Sequence, residues 1–149
     1  MPARRHRPLP AIKKINAGNF RPYGWVIEYP AKNSRGKNAN LFHVVIREKG
    51  DFGWRIAYLV VRDKRVERLE QHRLSYESLE PVKGASLLYV SLKKDPEEIA
   101  CFYLDRPVIL KKCVWHGILT LNGSAEIKIT ENRRVRSAYW RLGFAFEKR

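Results

Sequence analysis

The segment Glu70–Gly84, EQHRLSYESLEPVKG, decides how this chain is read. Glu70 and His72 stand two residues apart, so on an extended strand both side chains leave the same face. Glu77 follows five residues after His72, and Gly84 seven after Glu77. Two carboxylates and an imidazole converging on one face have the chemistry to hold a divalent cation or to share acid/base work. Another imidazole, His116, lies far downstream in the strand-like run Cys113–Leu119, CVWHGIL. A Glu–His pair on a strand is also a common surface ion pair, so the site reading rests on recovering all of these residues together.

On either side, the pattern is that of short strands. Trp25–Tyr29 reads as a strand preceded by the turn Pro22-Tyr23-Gly24 and ended by Pro30, and 31–40 as a polar loop. Leu41–Lys49 and Gly53–Arg62 read as a hairpin across the glycine-bounded link 50–53. Both faces of the second run are apolar, with Trp54, Ile56, Tyr58 and Val60 on one, which predicts a strand between two layers. Val66–His72 delivers Glu70 and His72, and Ala85–Leu92 is a strongly apolar strand. Asp95-Pro96-Glu97-Glu98 has the cap and first-turn residues of a helix, with Ile99, Phe102 and Tyr103 on one face, which predicts a short helix near 96–103. Val108–Leu110, Val114–Leu121, Ala125–Glu131 and Ala138–Phe146 complete the strands, with Asn122-Gly123 as a hairpin turn. In AEIKITE, Ala125, Ile127 and Ile129 point inward. His43 sits in an apolar context where a packed, hydrogen-bonded imidazole is the commoner outcome, and it is left outside the site. Many short strands with one short helix define an all-β sandwich or barrel.

The 149 residues suffice for one domain with a substantial core, placed at 12–149, behind a basic, proline-containing, flexible tail over 1–11. The net charge of +15 points to an anionic partner: a small acid, a nucleic acid or a membrane surface. Basic residues are spread along the chain in no single block, and no nucleic-acid motif is present, which disfavours a nucleic-acid role. Cys101 and Cys113 form neither a disulfide framework nor a metal-finger spacing, so a reduced, cytoplasmic protein is expected. No apolar run is long enough for a membrane helix.

The order Glu70-x-His72, four residues, Glu77, six residues, Gly84 resembles the first motif of the cupin superfamily, with Glu70 in place of that motif's first histidine. His116 resembles the histidine of the second motif, and Lys111-Lys112-Cys113 stand where cupins carry a Pro-x-Gly turn. The resemblance implies an all-β, cupin-like double-stranded β-helix (jelly-roll) barrel that assembles as a homodimer. It also implies a divalent metal (Zn, Mn, Ni or Fe) on Glu70, His72, Glu77 and His116.

Within that superfamily the chain resembles the ureidoglycolate lyases over about Asn19 to Leu142. The residues that carry this are Phe20-Arg21-Pro22-Tyr23-Gly24, the pair Glu70 and His72, Pro81, and Trp115-His116; Cys113 replaces the glycine usual before the last pair. The reaction implied is carbon–nitrogen cleavage of ureidoglycolate to glyoxylate and urea in purine (allantoin) breakdown, an amidine-lyase type of step. It needs a base for the hydroxyl proton and an acid for the departing nitrogen, roles that fall to Glu70, His72 and His116. Lys111 or Lys112, with Tyr76, would receive the substrate carboxylate. Tyr76 and Glu77 depart from the small polar residues and glutamine usual in that family, and the added acid favours a metal. The alternative functions are a non-catalytic cupin that binds a small molecule and, further off, a nucleic-acid-binding protein.

Overall fold

A computed structural model describes residues 9–28, 30, 44–49 and 53–148. It contains eleven strands: β1 (Ile12–Lys14), β2 (Gly24–Val26), β3 (Trp54–Val61), β4 (Arg65–His72), β5 (Glu77–Lys83), β6 (Ser86–Ser91), β7 (Ala100–Tyr103), β8 (Val108–Leu110), β9 (Trp115–Thr120), β10 (Ala125–Asn132) and β11 (Ser137–Glu147). They form a six-stranded sheet, β1-β7-β6-β9-β4-β11, and a five-stranded sheet, β2-β8-β5-β10-β3. From β3 onward the chain changes sheet at every step except the β6–β7 hairpin. That alternation is the winding of a cupin-like jelly roll, the fold class the sequence predicts.

Two apolar clusters hold the sheets. Leu79, Leu88, Val90, Phe102, Val108, Leu110 and Ile127 fill the space between them. Leu69, Leu87, Tyr89, Cys101, Trp115, Leu119, Leu142 and Phe146 cover the other face of the larger sheet. Because β6 is buried on both faces, its six residues are apolar or small without alternation. A short helix, α1 (Ala17–Phe20), closes one end through a reciprocal cap: Asn16 Oδ1 accepts from Asn19 N at 2.8 Å and Asn19 Oδ1 from Asn16 N at 2.9 Å. It drives Phe20 edge-on against Phe102, with ring centroids 5.3 Å apart.

Several sequence expectations need correction. The helix over 96–103 is a single 3-10 turn, Pro96–Glu98, capped by Asp95, and β7 follows it at once. Cys101 and Phe102 go to opposite cores, which extended backbone does and a helical face does not. Asn122-Gly123 does not close a hairpin, because β9 and β10 belong to different sheets. A turn signal reports a reversal of the chain, not the sheet that the next strand joins. β5, read from sequence only as a segment running into a turn, is a full strand that tolerates Pro81 beside a register shift at Glu126/Ile127. Trp54, Ile56 and Tyr58 are exposed, not buried between layers, and among the described residues β3 has a strand neighbour, β10, on one side only. Residues 44–49 are not in a strand, and the remainder of that predicted hairpin, with His43, Tyr29, the loop 31–40 and most of the tail, lies outside the described residues.

Gly117, next to His116, is a packing requirement. A Cβ there would meet Leu69 Cδ2 at 2.8 Å and Val66 Cγ1 at 2.9 Å. Gly117→Ala is expected to destabilise the protein by about 1–3 kcal/mol, read from the urea midpoint, by forcing β4 away from β9. An unchanged midpoint would show that the two strands are not packed this closely.

Candidate metal centre

Strand register assembles the site. Glu70 of β4 pairs with His116 of β9, and Glu77 of β5 pairs with Glu131 of β10. The inward parity of β4 that carries Glu70 also carries His72. The corner between β4 and β5 is fixed by Asn132, whose backbone N–H donates to Ser75 Oγ at 2.9 Å and whose side chain donates to the Leu74 carbonyl at 2.9 Å. On the other side, Cys113 N donates to the His72 carbonyl at 2.9 Å and Gln71 Nε2 to the Cys113 carbonyl at 3.1 Å. Cys113 has φ 66, the left-handed conformation favoured by glycine, so a tight turn exists before His116 without its usual residue.

The four residues singled out as ligands converge. His72 Nε2 lies 2.7 Å from Glu77 Oε2, His116 Nε2 lies 3.3 Å from the same oxygen, and His116 Nε2 lies 3.7 Å from Glu70 Oε1. The side chains of His72, Glu77 and His116 are 5–8% exposed, whereas that of Glu70 is 39% exposed. His116 Nδ1–H donates to the Val114 carbonyl at 3.0 Å, which fixes the tautomer and turns Nε2 toward the carboxylates. His72 Nδ1 sits 3.1 Å from Ser137 Oγ. Close as they are, Glu77 Oε2 and His116 Nε2 lack aligned hydrogen bonds. Buried donor atoms that face one another without such bonds fit a shared cation. Donor atoms of Glu70, His72 and His116 lie within 4.8 Å of one another, and so do those of His72, Glu77 and Glu131. These nitrogen and carboxylate donors suit Zn, Mn, Fe or Ni.

Glu131 escaped the sequence reading, although it continues the inward parity of Ala125, Ile127 and Ile129. It is buried and receives Arg55 Nη2 at 2.8 Å. Lys111, Lys112 and Tyr76, proposed for substrate, form a different group. Lys111 Nζ lies 5.7 Å from the Trp25 ring centroid and Lys112 Nζ 4.9 Å from that of Tyr76, while Lys112 also pairs with Glu48 at 3.0 Å.

Glu70 and His116 open onto a cleft of about 1930 Å³ lined by residues of β4, β9 and β11. The fold and this cluster define a cupin-like jelly roll with a candidate metal centre. No family model matches the chain, and no curated protein matches it. Its structure is similar to that of a dTDP sugar isomerase from Desulfovibrio desulfuricans G20, with a TM-score of 0.43 and 15% identity over 85% of this chain and 82% of that one.

Burial by itself would push the Glu77 carboxyl up and His116 down. Burial is the largest single influence on each, but the charge and polar contact that each presents to the other, with His72 beside Glu77 and the Val114 carbonyl and Glu70 beside His116, together outweigh it and leave Glu77 at about 2 and His116 at about 9. The stabilisation from His116 is complete below its unfolded value of 6.5 and is lost as pH rises through 9; that from Glu77 is complete above 4.5 and is lost as pH falls through 2. With chelator present, the urea midpoint is therefore expected to fall between pH 6.5 and 9 in the wild type, and to fall less in His116→Gln. Parallel pH profiles for the two proteins would refute the coupling.

Proposed function

We propose that this protein is a metal-dependent enzyme acting on a small hydroxy acid, of the ureidoglycolate lyase type. The observation that carries the reading is the convergence of Glu70, His72, Glu77 and His116 at one end of the space between the sheets, with Glu77 Oε2 and His116 Nε2 buried and without aligned hydrogen bonds. His72, Glu77 and His116 would hold the ion from the buried side and Glu70 from the cleft side. A bound divalent ion would supply a Lewis acid for the substrate hydroxyl. Glu70, the exposed member, is placed to accept the hydroxyl proton as the carbon–nitrogen bond breaks, giving the aldehyde of glyoxylate. The electron pair goes to the departing urea nitrogen, which takes up a proton from an acid in the cleft. His116, with Nδ1 committed to the Val114 carbonyl, orients the ligand set and does not shuttle protons through that atom.

A second reading, a non-catalytic small-molecule-binding protein, is favoured by the burial of three of the four ligands. The two readings separate in one assay: glyoxylate release from racemic ureidoglycolate, with and without chelator and with divalent metals restored. Turnover is expected to vanish with chelator, to return with one metal, and to fall at least about 100-fold in Glu70→Gln and in His116→Ala. Bound metal with no glyoxylate formed would favour the binding reading. Full activity in both variants would remove this site from the chemistry.

A further inference from the structure

Beyond the metal ligands, the cleft carries an unusual pair of charges. Arg141 of β11 lies directly opposite Arg68 of β4, and Tyr139 lies opposite Glu70 one step along the same face. Residues facing each other across an antiparallel pair have Cβ atoms about 5 Å apart, and like charges placed so are destabilising. Among the described residues neither arginine has a carboxylate partner. The nearby acids are otherwise engaged, with Glu67 and Glu147 both held by Arg65, at 3.1 and 3.2 Å. Arg68 is braced on the Tyr139 ring, its guanidinium carbon 4.6 Å from the centroid. Beyond Arg141 the ladder breaks, advancing five residues on β11 against two on β4 before Phe146 meets Val66, with Gly143 at φ 75. This bulge interrupts the pairing just past the arginine pair, and both arginines line the cleft.

We infer that Arg68 and Arg141, with Tyr139 beside them, form the carboxylate-recognising wall of the cleft whose floor carries Glu70 and His116. The inference rests on the reading of that cleft as a substrate site. Two guanidinium forks side by side match the two oxygens of a carboxylate, and a bound anion removes the repulsion between them. Arg68 and Glu70 are two residues apart on one strand, so the wall stands about 7 Å from the metal ligands. That distance suits an acid of two to four carbons whose other end reaches the ion. The assignment moves the carboxylate-binding role from Lys111 and Lys112, which lie against Trp25 and Tyr76, to β4 and β11.

The test is a titration of the chelator-treated protein with glyoxylate, followed by protein NMR shifts and by melting temperature, so that it does not depend on a metal or on turnover. The wild type is expected to saturate. Arg68→Ala and Arg141→Ala should each weaken binding by about tenfold or more, and the Lys111→Ala/Lys112→Ala double variant by less than about twofold. Without glyoxylate, Arg141→Ala should melt at or above the wild-type temperature, because a like-charge contact is removed. No saturable binding, wild-type affinity in either arginine variant, loss of binding in the lysine variant, or a lowered ligand-free melting temperature in Arg141→Ala would each overturn the inference. So would inorganic phosphate binding tenfold more tightly than glyoxylate at the same arginines. If purified protein holds no metal while glyoxylate binding still depends on the arginines, the metal centre fails and the wall stands.

Discussion

The carboxylate of Glu77, enclosed between His72 and His116, is the constraint that the rest of the structure serves. A buried carboxylate costs several kcal/mol in lost hydration unless positive charge or hydrogen bonds replace the water. Here the replacement comes from two strands that are far apart in sequence, and the acid from a third. β4 and β9 bring the imidazoles from the larger sheet, and β5 brings the acid from the smaller one. Only a fold that winds alternately between two sheets sets these strands face to face while keeping Leu79, Leu88 and Ile127 packed beside them. Jelly-roll winding and buried charge are thus one arrangement: each sheet presents half of the cluster, and closing the sandwich joins the halves.

The precision of that closure comes from two corners. At one, Ser75 and Asn132 tie the β4–β5 crossing to the end of β10, so Glu77 enters its strand at a fixed height. At the other, Cys113 takes a left-handed backbone that an L-residue adopts at a cost of about 1–2 kcal/mol. The peptide groups of Cys113 are held on both sides by β4, through His72 and Gln71. That grip keeps the turn in place and, three residues on, aims His116 at Glu77. Gly117 then lets Leu69 and Val66 lie directly on β9.

Much of this was legible in the sequence, for identifiable reasons. Glu70 and His72 were readable because period-two spacing fixes which side chains share a face, and Glu77 and His116 because their order along the chain resembles the two cupin motifs. The all-β class followed from many short apolar runs broken by turn residues. β7 was misread because Ile99–Phe102 is buried on both sides, and a run with no polar face shows neither strand nor helix period. The Asn122-Gly123 turn was misassigned because sheet membership depends on long-range pairing. Glu131 was passed over as the polar end of a strand, though its parity was already inward. The arginine pair was not legible at all: Arg68 and Arg141 lie 73 positions apart, and only the β4–β11 register sets them opposite each other.

The charge of the ligand set bears on why that register matters. Glu70 stands where the motif that this stretch resembles has a neutral histidine, so the four candidate ligands would bring two carboxylates in place of one. Two carboxylates cancel the charge of a divalent ion, and the centre they form has little attraction for an acid. Across the cleft lining as a whole five basic residues are nearly matched by four acidic ones, so the large net charge of the chain is not concentrated there. An anionic ligand would therefore be drawn to the one place in the cleft where basic groups face each other without carboxylate partners among the described residues. On this argument the substitution at Glu70 and the repulsive pair on β4 and β11 belong together. The first would neutralise a divalent ion at the candidate metal centre, and the second would supply, a short step along the same strand, the positive charge that such a centre lacks.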